Sequence, residues 1–203
     1  MARKGDPNKG VTRRGFLGSV GAGAVAAATG VAHRAEAVPE ITDPGKMLQV
    51  VLAINGRVHH LLVEPRWTLL FVLRERLGIN GTKAGCERGE CGSCTVLIDG
   101  RPRYACMMLA AEAEGTEITT VEGLLHGEEL GSVQKAFVEE DAFQCGYCTP
   151  GQVMAAEGLL RANPSPTFDE IRHGMSGNLC LCGAYAHITN GVTRAAEIKK
   201  GDS

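Results

Sequence analysis

The residues best suited to chemistry in this 203-residue chain are its eight cysteines, which fall into two sets of four. Cys86, Cys91, Cys94 and Cys106 are separated by four, two and eleven residues. A C-x4-C-x2-C loop with a fourth, distant cysteine is the spacing of a two-iron, two-sulfide cluster. One loop offers three thiolates from different directions, and a separate segment brings the fourth. Gly85, Gly89 and Gly92 alternate with these ligands, which predicts a backbone folded so that its amide N–H groups aim at sulfur. Those donors matter because the cluster with its thiolates is an anion that becomes more negative on reduction, so N–H to sulfur bonds raise its potential.

The second set is Cys145, Cys148, Cys180 and Cys182, a C-x2-C pair and a C-x-C pair 31 residues apart. Thr149-Pro150-Gly151-Gln152 reads as a helix start, with Thr149 as N-cap, Pro150 at the first helical position and Gln152 closing a capping box. Cys145 and Cys148 then lie at a helix N-terminus, whose dipole favours an anionic cluster by about 0.3–1 kcal/mol per interaction. Three other uses of the cysteines compete. Four disulfides are disfavoured in a chain that folds in a reducing cytoplasm before export. Tetrathiolate zinc would suit the second set but not the first loop. A Rieske centre needs two histidines in place of two cysteines, and no Cys-x-His pair exists here. His59, His60, His126, His173 and His187 are accordingly read as surface or packing residues.

The first 37 residues read as an address. Thr12-Arg13-Arg14-Gly15-Phe16-Leu17-Gly18 precedes an Ala/Gly-rich apolar run and Ala35-Glu36-Ala37, the pattern of a twin-arginine signal with a small-residue cleavage site. The expected mature protein is periplasmic, begins near Val38 and has no membrane span. Gly21-Ala22-Gly23-Ala24-Val25-Ala26 imitates a dinucleotide fingerprint, but it follows paired arginines inside the signal instead of a strand. Residues 1–37 hold six Lys/Arg against two acids, leaving a net charge of -6 for residues 38–203. An acidic body argues against nucleic acid as a partner.

Stepping outward to the elements that must position the cysteines, residues 47–63 alternate apolar and polar about Asn55-Gly56, which predicts a β-hairpin. Thr68 can cap a helix whose apolar face is Leu69, Val72, Leu73 and Leu77 and which ends at Gly78. Residues 95–98 and 103–106 form a second expected hairpin about Asp99-Gly100, placing Cys94 and Cys106 at neighbouring strand ends, and 117–120 add a last strand. Helices are expected at 133–140, 150–162, 168–174, capped by Thr167 and Glu170, and 184–199. The fold class is thus α+β: a ferredoxin-like β-grasp domain at 47–120, after a linker at 38–46, followed by a small helical-bundle domain at 121–200, each holding one cluster.

With both cysteine sets on these folds, the chain resembles the small iron-sulfur subunit of the xanthine dehydrogenase and aldehyde oxidoreductase family. The resemblance spans about residues 48–198 and is carried by Thr82-Lys83-Ala84-Gly85-Cys86 through Cys94-Thr95-Val96, by Gln144-Cys145-Gly146-Tyr147-Cys148-Thr149-Pro150-Gly151, and by Asn178-Leu179-Cys180-Leu181-Cys182-Gly183. It implies two 2Fe-2S clusters, ligated by Cys86, Cys91, Cys94, Cys106 and by Cys145, Cys148, Cys180, Cys182. It also implies a large partner subunit that binds the molybdopterin cofactor and carries out the hydroxylation. Gln144 would hydrogen-bond the pterin and Cys182 would approach it, while electrons pass to the Cys145 cluster and then the Cys86 cluster. Leu181 departs from the family's usual arginine between the paired cysteines. The absence of a flavin or nicotinamide motif points to a FAD subunit or a cytochrome c as acceptor. The competing functions are a free-standing exported ferredoxin and a zinc protein.

Purification separates these readings. The chain isolated without air is expected to be brown, with about four irons and four acid-labile sulfides, as two 2Fe-2S clusters require; a colourless, zinc-bearing protein would refute the cluster assignment.

Overall fold

The computed structural model describes residues 46–125 and 127–201. Residues 1–37, read above as a twin-arginine signal, and His126 lie outside them. Strands β1 (Leu48–Ile54) and β2 (Arg57–Val63) form the expected hairpin, paired from Leu48↔Val63 to Ile54↔Arg57. Its turn has Asn55 at φ 50° and Gly56 at φ 73°, the two left-handed positions that suit Asn-Gly and match the twist of the strands. Val50, Leu52 and Ile54 alternate onto one face and are buried. Strands β3 (Thr95–Ile98), β4 (Arg101–Tyr104) and β5 (Glu117–Thr119) complete a mixed sheet of order β2-β1-β5-β3-β4, in which only the β1–β5 pairing is parallel.

Helix α1 (Leu69–Phe71) begins where expected, the Phe71 N–H donating to Thr68 Oγ1 at 3.2 Å. It then widens into a π turn over Val72–Arg76. Apolar spacing over so short a segment does not distinguish the two pitches. The second hairpin also differs from expectation. Asp99 and Gly100 turn the chain within two left-handed residues, so β4 starts at Arg101 and ends at Tyr104. Cys106 therefore sits on a 3-10 turn, Ala105–Met107, and not on a strand.

The remaining elements are helical: α2 (Ser132–Glu139), α3 (Thr149–Ala162), α4 (Phe168–Gly174) and α5 (Tyr185–Gly201). Thr167 and Glu170 cap α4 reciprocally, as the sequence predicts: the Thr167 N–H donates to Glu170 Oε2 at 2.6 Å and the Glu170 N–H to Thr167 Oγ1 at 3.3 Å. Helix α3 is tied to α5 by Glu157, whose carboxylate accepts from Arg161 at 2.9 Å and Lys199 at 2.9–3.0 Å. Burial would raise this carboxyl, but the two cations outweigh it and hold it below the usual range.

Two apolar cores result. One lies between the sheet and α1, and the other among α2 to α5 around Phe137, Met154 and Ile188. All four residues of β3 are buried. Val96 and Ile98 belong to the sheet core, while Leu97 points the other way and joins the helical core. Strand β3 is a wall shared by both. Helix α3 crosses it at Gly158, where a Cβ would stand 2.3 Å from Pro102 Cγ and 3.1 Å from Leu97 Cδ2. Alanine favours a helix over glycine by about 1 kcal/mol, but the proline ring cannot swing aside. Gly158→Ala is therefore expected to lower stability by about 1–3 kcal/mol, measured as a lower denaturation midpoint; an unchanged midpoint would mean that this contact does not set the helix position.

Candidate metal centre

The first cysteine loop leaves α1 pinned by cations to carbonyl oxygens. Arg74 donates to Thr82 O at 2.9 Å and Lys83 Nζ to Asn80 O at 2.8 Å. The chain then reverses through left-handed residues at Glu87, Gly89 and Gly92. These reversals turn amides inward: the Glu90 N–H donates to Cys86 Sγ at 3.3 Å. Backbone donors from Arg88 and Glu90, with the Cys91 side chain, bring the Cys86 thiol down to about 7. Gly85 serves through space and not through its φ, since a Cβ there would lie 2.7 Å from Cys91 Sγ. Cys94 at the entrance to β3 and Cys106 after β4 are both buried. Burial, then the neighbouring Cys106, pushes the Cys94 thiol up to about 12.

The second set is built at the start of α3. Cys148 is the N-cap, Thr149 the first helical residue, and no side chain caps the helix. The expected capping box is absent because Gln152 is buried and directs its Nε2 to Asn178 O at 3.0 Å. Burial and the adjacent Cys180 push the Cys148 thiol up to about 12, while the Tyr147 N–H and the Cys182 side chain lower that of Cys145. The thiols thus pair as Cys148 with Cys180 and Cys145 with Cys182. The Cys180 N–H donates to Tyr185 Oη at 2.9 Å. Gln144, Cys145 and Cys182 are exposed, and Leu181 projects fully into solvent.

The cysteines are all free thiols. Among the described residues no three His, Cys, Asp or Glu side chains are grouped to hold a single metal ion. What the geometry offers is pairs: Cys86 with Cys91, Cys94 with Cys106, and the two pairs of the second set. A binuclear centre needs two thiolates on each iron, so this donor set fits it, and ferric charge relieves the cost of ionising buried thiols. His60, His173 and His187 are exposed and His59 is partly so, with His187 Nδ1 placed 3.0 Å from Glu140 O.

The two sites are clasped together. Leu179 N–H donates to Cys91 O at 2.9 Å, Asn178 Nδ2 to Gly92 O at 2.9 Å and to Thr95 Oγ1 at 3.2 Å, and Tyr147 Oη to Ala84 O at 2.6 Å. Glycine is required on both sides of the contact. A Cβ on Gly92 would meet Gly177 O at 2.5 Å, and one on Gly151 would meet Gly92 O at 2.4 Å.

Residues 78–141 match the family described as a 2Fe-2S iron-sulfur cluster binding domain, and residues 120–193 match a [2Fe-2S] binding domain. Each stretch encloses one set of four cysteines. The aldehyde oxidoreductase iron-sulfur-binding subunit of Escherichia coli O157:H7 is 43% identical over 93% of this chain and 90% of its own length. The chain belongs to the iron-sulfur subunits of the aldehyde oxidoreductase and xanthine dehydrogenase family. This iron-sulfur subunit is 43% identical to the nicotinate dehydrogenase small FeS subunit of Eubacterium barkeri, over 74% of the chain and 96% of the relative. Its fold superposes on a chain of quinoline 2-oxidoreductase from Pseudomonas putida 86 with a TM-score of 0.74 at 46% identity, over 78% of this chain and 99% of that one. The aldehyde oxidoreductase of Desulfovibrio gigas gives a TM-score of 0.73 over 77% of this chain but only 18% of its own. The iron-sulfur subunit is therefore part of an oxidoreductase of molybdenum hydroxylase type, with substrate chemistry on a partner subunit.

Sequence reasoning missed what joins the sites: Tyr104 carried no local signal, and Tyr147 and Asn178 registered only as parts of motifs. Asn178→Ala removes two buried hydrogen bonds, with an expected loss of about 1–2 kcal/mol and faster amide exchange at residues 177–180; exchange like that of the parent would rule out Asn178 as a tie.

Proposed function

We propose that this subunit holds two 2Fe-2S clusters, one on Cys86, Cys91, Cys94 and Cys106 and one on Cys145, Cys148, Cys180 and Cys182, and relays electrons between them. Bound there, each cluster takes up and gives away one electron at a time. The observation that carries this reading is the hydrogen bond from Leu179 N–H to Cys91 O at 2.9 Å, which links the residue before one ligand to the carbonyl of another. Only one non-covalent step then separates Cys91 from Cys180.

The exposure of Gln144, Cys145 and Cys182 supports the direction of the relay. These residues form the face offered to a large molybdopterin-binding subunit that oxidises an aldehyde or an N-heterocycle. On that face Gln144 hydrogen-bonds the pterin, Cys182 lies nearest to it, and Leu181 gives the boundary an apolar contact in place of a charged one. The buried Cys94 and Cys106 belong to the ferredoxin-like domain of residues 47–120, which passes electrons on to a FAD subunit or a cytochrome c. Residues 121–200 form the helical cluster domain. The twin-arginine signal at 1–37 supports assembly in the cytoplasm and work in the periplasm. Among the described residues no helix is long and apolar enough to cross a membrane.

Co-purification tests the reading directly. The tagged full chain is expected to bring down a molybdenum-containing large subunit, and Gln144→Ala is expected to reduce turnover or pterin content with iron content unchanged. Parent-like turnover and cofactor content in that variant would remove the pterin role, and a chain that purifies alone with both clusters would favour the free-standing ferredoxin.

A further inference from the structure

One of the contacts between the two halves is made by a side chain that belongs to neither cysteine motif. Tyr104 ends β4, faces Thr95 across the hairpin, and is two residues from Cys106. Its ring packs on the sheet core. Its hydroxyl leaves that core and donates to Gly177 O at 2.8 Å, in the segment that delivers Cys180. The fit is close on both sides: a Cβ on Gly177 would stand 2.3 Å from Tyr104 Oη, with the next atom of the ring, Cζ, at 3.6 Å.

We propose that Tyr104 is a positioning residue that fixes the spacing of the two cluster sites, its hydroxyl anchoring residues 177–180 against the first cysteine loop. The proposal rests on the two-cluster reading above. The step it governs moves one electron: the centre on the Cys145 set is oxidised, the centre on the Cys86 set is reduced, and no proton moves. Substrate oxidation on the partner subunit supplies the electron, and the outward flavin or haem acceptor removes it. The neighbouring ties do not substitute for the phenol. Leu179 to Cys91 is a single backbone bond, Asn178 and Gln152 hold the segment one residue further on, and Asn178 N–H turns back to Met175 O, so it is the carbonyl of Gly177 that Tyr104 anchors. Electron transfer between fixed centres depends steeply on their separation, so a loosened segment slows it without touching a ligand.

The test uses the full chain purified without air, as parent, Tyr104→Phe, Gly177→Ala and the double variant. Dithionite reduces both clusters, and low-temperature electron paramagnetic resonance reads the spin–spin splitting between them, alongside iron content, midpoint potentials and amide exchange. Tyr104→Phe is expected to keep full iron and both potentials, to weaken or broaden the splitting, and to speed exchange at 177–180 several-fold. Gly177→Ala is expected to disturb the splitting equally. The double variant should be no worse than either single one, because the methyl enters the space that the hydroxyl occupied. Parent-like splitting and exchange in Tyr104→Phe would overturn the proposal, as would shifted potentials with unchanged splitting, which would assign the hydroxyl an effect through charge. A parent chain without iron would instead fail the cluster reading itself, and this inference with it.

Discussion

Close approach of backbone to backbone at Gly92 is the constraint on which the rest of this molecule depends. The carbonyl of Gly92 lies so near Gly151 of α3, and its Cα so near the carbonyl of Gly177, that a single methyl on any of these sites would collide with the main chain or with a tightly held side chain. Because the backbones meet, short hydrogen bonds can span them, and the first cysteine loop is held by the segment that presents the second set. Glycine here acts by subtraction. Its lack of a side chain brings together two loops that are 86 residues apart in the chain.

That contact also explains how charge is managed. A cluster bound here would be an anion inside protein. Stabilisation comes from backbone amides turned inward by left-handed residues and from the exposed end of a helix. The buried Cys94 and the half-buried Cys148 resist ionisation until positive charge arrives, whereas Cys86 and Cys145, served by amide donors, yield more readily.

Much of this was legible in the sequence because the signals were local. Asn55-Gly56 specified its hairpin, Thr167 and Glu170 their helix start, and the cysteine spacings two sets of four that each fall within one matched 2Fe-2S binding domain. Reading failed where a side chain had a distant use. Gln152 looked like a cap because its sequence neighbours suggested one, but its amide serves Asn178, 26 residues away. Cys106 was assigned to a strand since nothing local announced how early Asp99 and Gly100 would turn the chain. Tyr104 reaches Gly177 over 73 residues. No periodicity encodes such a pair, because the pairing exists only once α3 has settled on β3.

Strand β3 has a further consequence. Its residues serve two cores at once, Val96 and Ile98 on one side and Leu97 on the other. Cutting the chain near residue 120 would strip Leu97 of its cover and leave the groove beneath Gly158 open to water, so neither piece would be a finished module. Although two cysteine sets suggest a tandem of separable parts, the strand between them makes excision of either one an injury to both.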